Sequence, residues 1–216
     1  TRKELEAIAA VVLRHNDLLI IADEIYEHIN FTGDQTSIGS LPGMFDRTIT
    51  INGFAKGFAM TGWRVGYMCA PKWIADAANK MQGQLTSANS SIAQRAALAA
   101  ITSDIGPTLK MVEEYKKRRE IVYELLKNLP GVKANYPTGA FYFFPDVSYY
   151  YGKSDGARTI TNGEDFCMYM LEKAHVSLVT GDAFGEPRCI RLSYAASEND
   201  LREALKRIRE ALAQLK

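Results

Sequence analysis

The chain has 216 residues, 47% of them hydrophobic, with 26 basic and 25 acidic side chains and a formal net charge of +1. That is enough apolar material for a real core, in one large domain or two smaller ones. The interspersed charges give no basic field for nucleic acid or an anionic membrane, and the longest apolar runs, such as Leu18–Ala22, are far too short to cross a bilayer.

The first element is a helix. Thr1 and Glu4 form the N-cap and N3 pattern of a helix start, and Leu5, Ile8 and Val11-Val12 recur at helical spacing. Without an initiator methionine, the chain reads as a segment of a longer protein or as a complete domain, and its three widely separated cysteines suit a reducing cytoplasm. Leu18–Ala22 reads as a buried parallel strand ending at Asp23-Glu24-Ile25-Tyr26. A polar loop over about 30–46 leads to a second strand, Thr48–Ile51, which ends at Asn52-Gly53. A third, Val65–Ala70, runs to Pro71, where a helix begins. Such alternation argues an α/β sheet, with functional residues where strands end.

Residues 72–102 and 107–129 read as two long helices, the first open to a break at Thr86–Ser91, the second stopped by Pro130-Gly131. The character then changes. A strand at Ala140–Phe144, a loop over 148–163, a helix over about 164–174, strands at Ser177–Val179 and Cys189–Ser193, and a helix over 198–215 make an α+β layout. A domain boundary is expected in the long helix, giving domains 1–108 and 109–216. The basic run Lys116–Arg119 reads as a solvated helix face, Tyr149–Tyr151 as loop packing, and Cys69, Cys167 and Cys189 as buried free thiols. His15, His28 and His175 stand at no metal-ligand spacing, so no metal is expected.

Chemistry concentrates in Asn52-Gly-Phe-Ala-Lys56-Gly-Phe-Ala-Met-Thr61-Gly-Trp-Arg64. Most lysines are solvated, but Lys56 stands among Phe54, Ala55, Phe58, Ala59 and Met60, and apolar surroundings favour the neutral amine that attacks carbonyls. Arg64 offers a planar cationic fork. Asp23 ends an apolar strand 33 residues earlier; a turn or helix-cap role is the plain alternative. Arg191, in Cys189-Ile-Arg-Leu-Ser-Tyr-Ala195, alternates in facing with Ile190 and Leu192, and could equally project into solvent.

The segment from Asn52 to Arg64 resembles the lysine signature of pyridoxal-5′-phosphate (PLP) aminotransferases of class I/II, in the branch of prokaryotic aspartate and related aminotransferases. The resemblance runs from Thr1 to Lys216. It implies the C-terminal part of a fold type I enzyme: a partial large-domain α/β sheet with its helices, and a small α+β C-terminal domain. By the same resemblance Lys56 holds the cofactor covalently and Arg64 binds its phosphate. Asp23 pairs with the pyridine nitrogen, Tyr26 hydrogen-bonds the ring's phenolic oxygen, and Arg191 grips the substrate α-carboxylate. The implied reaction moves an amino group from an L-amino acid, aspartate as the first choice, to a 2-oxo acid such as 2-oxoglutarate, in a homodimer.

Two departures stand out. Ala55 occupies the place of a phosphate-binding serine, and Thr180 that of a proline before Gly181. The family's N-terminal arm, phosphate-cradling glycine loop and ring-stacking aromatic have no counterpart here. An isolated chain is therefore expected to leave a sheet edge and apolar surface uncovered, and to be inactive. A PLP-dependent C–S β-lyase, or the ligand-sensing domain of a transcription regulator, would carry the same lysine.

Overall fold

The computed structural model describes residues 1–216, which divide into two compact units, Thr1–Val112 and Glu113–Lys216. In the first, helix α1 (Arg2–Val12) starts on a capping box: the Thr1 side chain accepts from the Glu4 backbone while the Glu4 carboxylate reaches back. Its inner face buries Ala9 and Val12 against Ile38, Leu41 and Met44. Strand β1 (Ile20–Asp23) lies parallel to β2 (Thr48–Gly53), which pairs antiparallel with β3 (Gly66–Cys69), in the order β1-β2-β3. The connection from β1 to β2 carries two short 3₁₀ turns and no α-helix. Arg47 anchors it by donating to the carbonyls of His15 and Asn16.

Two expectations for this unit are not met. The first strand begins two residues later than its apolar run suggests and is not buried on both faces, since Ile21 is 72% exposed. The same face is only half-buried at Ile49, Ile51 and Met68. Cys69, expected to be buried, lies exposed in β3. The break near residues 86–91 is present, separating α2 (Lys72–Leu85) from α3 (Ser91–Thr102). Helix α2 has no buried residue at all, and Trp73, Met81 and Leu85 face outward. Helix α4 (Gly106–Lys127) contains the division between the units.

The second unit is built on a small antiparallel sheet, β4 (Tyr142–Phe143), β5 (Val179–Thr180) and β6 (Ile190–Ser193), in the order β4-β6-β5. Helix α6 (Glu198–Leu212), capped by Ser197, buries Leu201, Leu205, Ile208 and Leu212. Helix α5 (Gly163–Tyr169) continues into a π-helical turn, Met170–Ala174, and stops at His175, whose backbone is left-handed. Tyr169, Tyr194, Phe143 and Phe166 are wholly buried. The two phenols end on backbone acceptors: Tyr169 donates to Ala211 (3.0 Å) and Tyr194 to Ala140 (2.9 Å).

The basic run on α4 is only partly a solvated face. Lys116 and Lys117 pair with Glu113 and Glu114 at the surface. Arg119 turns inward instead: its side chain is 11% exposed, Nη1 donates to Pro137 O at 2.9 Å, and the guanidinium lies 4.4 Å from the centre of the Tyr136 ring. Tyr150 is buried, with its hydroxyl on Pro130 O, as loop packing requires, whereas Tyr149 keeps more than half its surface. Cys189 is buried and Cys167 half-buried, its thiol pushed up to about 11 by desolvation.

Candidate functional site

Asp23 is the last residue of β1 and stands opposite Ile51 of β2, so both parallel strands deliver their carboxyl ends to one edge of the sheet. That edge is where open α/β sheets bind ligands, because loops diverge there and leave a crevice. Asp23 is exposed on the same face as Ile21. Its carboxylate caps the next turn by accepting from Ile25 N at 3.2 Å and has no ion-pair partner. The turn reading and a ligand role are therefore compatible, since one oxygen serves the backbone and the group keeps its remaining lone pairs.

Tyr26 lies in the turn after Asp23, and Lys56 in the turn after Gly53. The structure brings these two side chains together, with Lys56 Nζ 5.9 Å from the centre of the Tyr26 ring. Lys56 is half-buried, between the buried Phe54 and the Phe58 ring that tilts onto it at 5.6 Å.

The lysine turn is held from several sides. A side chain on Gly53 would press its Cβ against Gly66 Cα at 2.9 Å, and one on Gly66 would meet Asn52 O at 2.9 Å. Only this glycine pair lets β2 and β3 approach so closely beneath the turn. His28 packs where a Gly57 side chain would be and sets its ring edge-on to Phe58 at 5.2 Å. The Gly57 carbonyl accepts from the buried Thr108 hydroxyl of α4 at 2.9 Å. Thr108 is not legible in the sequence, because a threonine in a helix's first turn gives no sign of a partner 51 residues away. Arg64 sits farther along, exposed, at a left-handed backbone position (φ 52°), with Nη1 on Thr61 O at 2.9 Å and no carboxylate partner.

Arg191 belongs to the second unit. In β6 its neighbours Ile190 and Leu192 are buried (3% and 6% exposed), so the arginine takes the opposite face, as alternation requires. It does not project freely into solvent. The guanidinium lies between two rings, 4.7 Å from the centre of Tyr142 and 4.6 Å from that of Phe184. Phe184 is itself braced edge-on by Phe144 at 5.9 Å. Two such cation–π contacts restrain the guanidinium, whose fork suits a planar acceptor. Neither ring's place beside Arg191 is legible in the sequence.

Residues 1–208 match the family model described as Aminotransferase class I and II. The chain belongs to this family. Aminotransferases of this class use PLP. A bifunctional aspartate aminotransferase and glutamate/aspartate-prephenate aminotransferase of Petunia hybrida is 51% identical over 220 residues, covering 100% of this chain and 46% of its own length. An aspartate aminotransferase of Pinus pinaster is 47% identical over the same span, with 45% of its length covered. The crystal structure of the aspartate aminotransferase from Rhizobium meliloti superposes with a TM-score of 0.96 at 37% identity, over 100% of this chain and 55% of that one. The chain thus spans about half the length of the relatives it matches, and its fold is that of a partial fold type I aminotransferase.

The residues present fit the cofactor of that class. An amine and a phenol meet at the carboxyl end of a parallel strand pair, and a carboxylate without a cationic partner ends the adjacent strand. No cluster of three or more His, Cys, Asp or Glu side chains is arranged to hold a metal ion. No helix is long and apolar enough to cross a membrane.

Proposed function

We propose that this chain carries the lysine-bearing part of an aminotransferase that moves an amino group from an L-amino acid to a 2-oxo acid. The observation that carries the reading is the meeting of Lys56 with Tyr26 at the carboxyl ends of β1 and β2. PLP, when bound, supplies an electron sink for the charge that develops at the substrate α-carbon.

The chain's own residues take the remaining roles. Lys56 Nζ would hold the cofactor covalently, and the same amine, when released, would take and return the α-proton. The Asp23 carboxylate keeps a ring nitrogen protonated by pairing with it. The Tyr26 hydroxyl donates to the phenolic oxygen beside the attachment point. Arg64 holds a phosphate through its fork, and Ala55 leaves out the hydroxyl that a serine there would add. Arg191, restrained beside Tyr142 and Phe184, receives the substrate α-carboxylate in a bidentate pair.

Aspartate is the proposed amino donor, on the strength of the relatives' names. A homodimer in the cytoplasm, with residues 1–108 belonging to the cofactor-binding domain and 109–216 to the small domain, completes the reading.

The test is PLP titration of the 216-residue chain, followed by borohydride reduction and peptide mapping. A single pyridoxyl adduct on Lys56, lost in Lys56→Ala with the fold retained, is expected. An adduct on other lysines that leaves Lys56 unmodified would overturn the assignment.

A further inference from the structure

The second unit holds a half-open cleft of about 490 Å³, none of whose lining residues belongs to the lysine turn or to the surroundings of Arg191. A volume of that order accommodates a small organic molecule. Its apolar side is formed by Leu129, Leu212, Leu215 and Tyr149, and its charged side by Lys153 and Arg209. No aspartate or glutamate lines it, and neither cation takes part in an ion pair.

Arg209 lies in the last turn of α6, where a cation offsets the helix dipole, so its presence alone has a structural explanation. Lys153 has no such explanation. It sits outside any helix, with Nζ 4.8 Å from the centre of the Tyr149 ring.

The walls are built firmly. Tyr150, 3% exposed, anchors its hydroxyl on Pro130 O. Tyr149 occupies the space that a side chain on Gly131 would fill. The strand of chain beyond Lys153 is tied to the C-terminal residue by two backbone hydrogen bonds between Ser154 and Lys216.

We propose that this cleft binds a small aromatic carboxylate, the ring lying against Tyr149 and the exposed edges of Leu129, Leu212 and Leu215, and the carboxylate set between Lys153 and Arg209. Two cations facing an apolar floor select an amphipathic anion. A free amino acid is disfavoured, because its ammonium group would face those cations with no carboxylate to receive it. The site is thus separate from the amino-transfer reading and does not depend on it.

The test is methyl NMR of the full 216-residue chain, leucine-labelled, titrated with 3-phenylpropionate. Saturable shifts at Leu129, Leu212 and Leu215 are expected. Affinity should fall by about tenfold or more for the neutral 3-phenylpropanamide, for L-phenylalanine, and for Lys153→Gln/Arg209→Gln, a change of about 1.4 kcal/mol. Lys153→Arg/Arg209→Lys, which keeps both charges, should retain binding and serves as the deciding variant if the neutral pair disturbs the unliganded spectrum. Absence of shifts up to about 10 mM ligand would overturn the proposal. So would shifts confined to leucines of residues 1–112, or equal affinity for the acid and its amide.

Discussion

Thr108 is the residue whose role is plainest once the fold is known. Its buried hydroxyl is a donor to the Gly57 carbonyl, one residue after the lysine. Thr108→Val keeps the shape and removes the donor, leaving a buried carbonyl unpaired at a cost of about 1–3 kcal/mol. Chemical denaturation should read that loss, and borohydride trapping should show slower or less selective labelling of Lys56. The phenols of the second unit make a prediction about pH. Desolvation pushes both Tyr150 and Tyr151 up to about 12, and their hydroxyls donate to Pro130 O and Pro187 O. Because the folded state holds them neutral, their contribution is complete below the unfolded value near 10. It is lost as the pH rises from about 10 towards 12. Stability of residues 113–216 should therefore decline across that window, and phenolate absorbance should lag behind free tyrosine until unfolding begins.

Among the elements, the turn that ends α4 shows how one position can be decided twice. Pro130 and Gly131 occupy the centre of a turn closed by Val132 N on Leu129 O, with Gly131 at φ 74°. Proline followed by a left-handed residue is the type II arrangement, which the dipeptide alone suggests. The ring of Tyr149 then takes the place of the missing side chain, which the dipeptide cannot suggest. Gly131→Ala meets both obstacles and should cost more than about 1 kcal/mol, measured by equilibrium unfolding. The strands tell a different story. Five of the six expected strands shorten, Ala140–Phe144 to two residues, because hydrogen-bonded pairing extends only as far as a partner does. Val179–Thr180 is likewise limited by its register with Ile190 and Arg191.

At the scale of the whole molecule the two units differ in how much apolar surface they cover. Of the buried apolar side chains, ten lie in residues 1–112 and twenty-two in 113–216, whereas seventeen of the exposed large ones fall in the first unit and six in the second. Burial of apolar area is the main favourable term in folding, so the second unit should be the more stable. Hydrogen exchange should find the amides of α6 protected longest and those of α2, which buries nothing, exchanging first. Equal protection in the two helices would contradict this reading.

The sequence by itself determined a good deal. The lysine turn, the end of β1 at Asp23, the capping box of α1, the break after α2 and the facing of Arg191 were all legible, because each rests on local spacing, turn chemistry or a long specific motif. The Asn52–Arg64 segment alone was enough to point to the family. What the tertiary structure decided concerns contacts between distant stretches of chain. The exposure of Ile21 and Cys69 depends on what covers a sheet, and an apolar run reads the same whether covered or bare. The inward turn of Arg119 depends on where Pro137 and Tyr136 arrive. The ring pair around Arg191 is set by register, which brings Tyr142 of β4 diagonally beside it, and by the turn that carries Phe184. Periodicity records which face a residue takes, and only the folded chain records what meets it there.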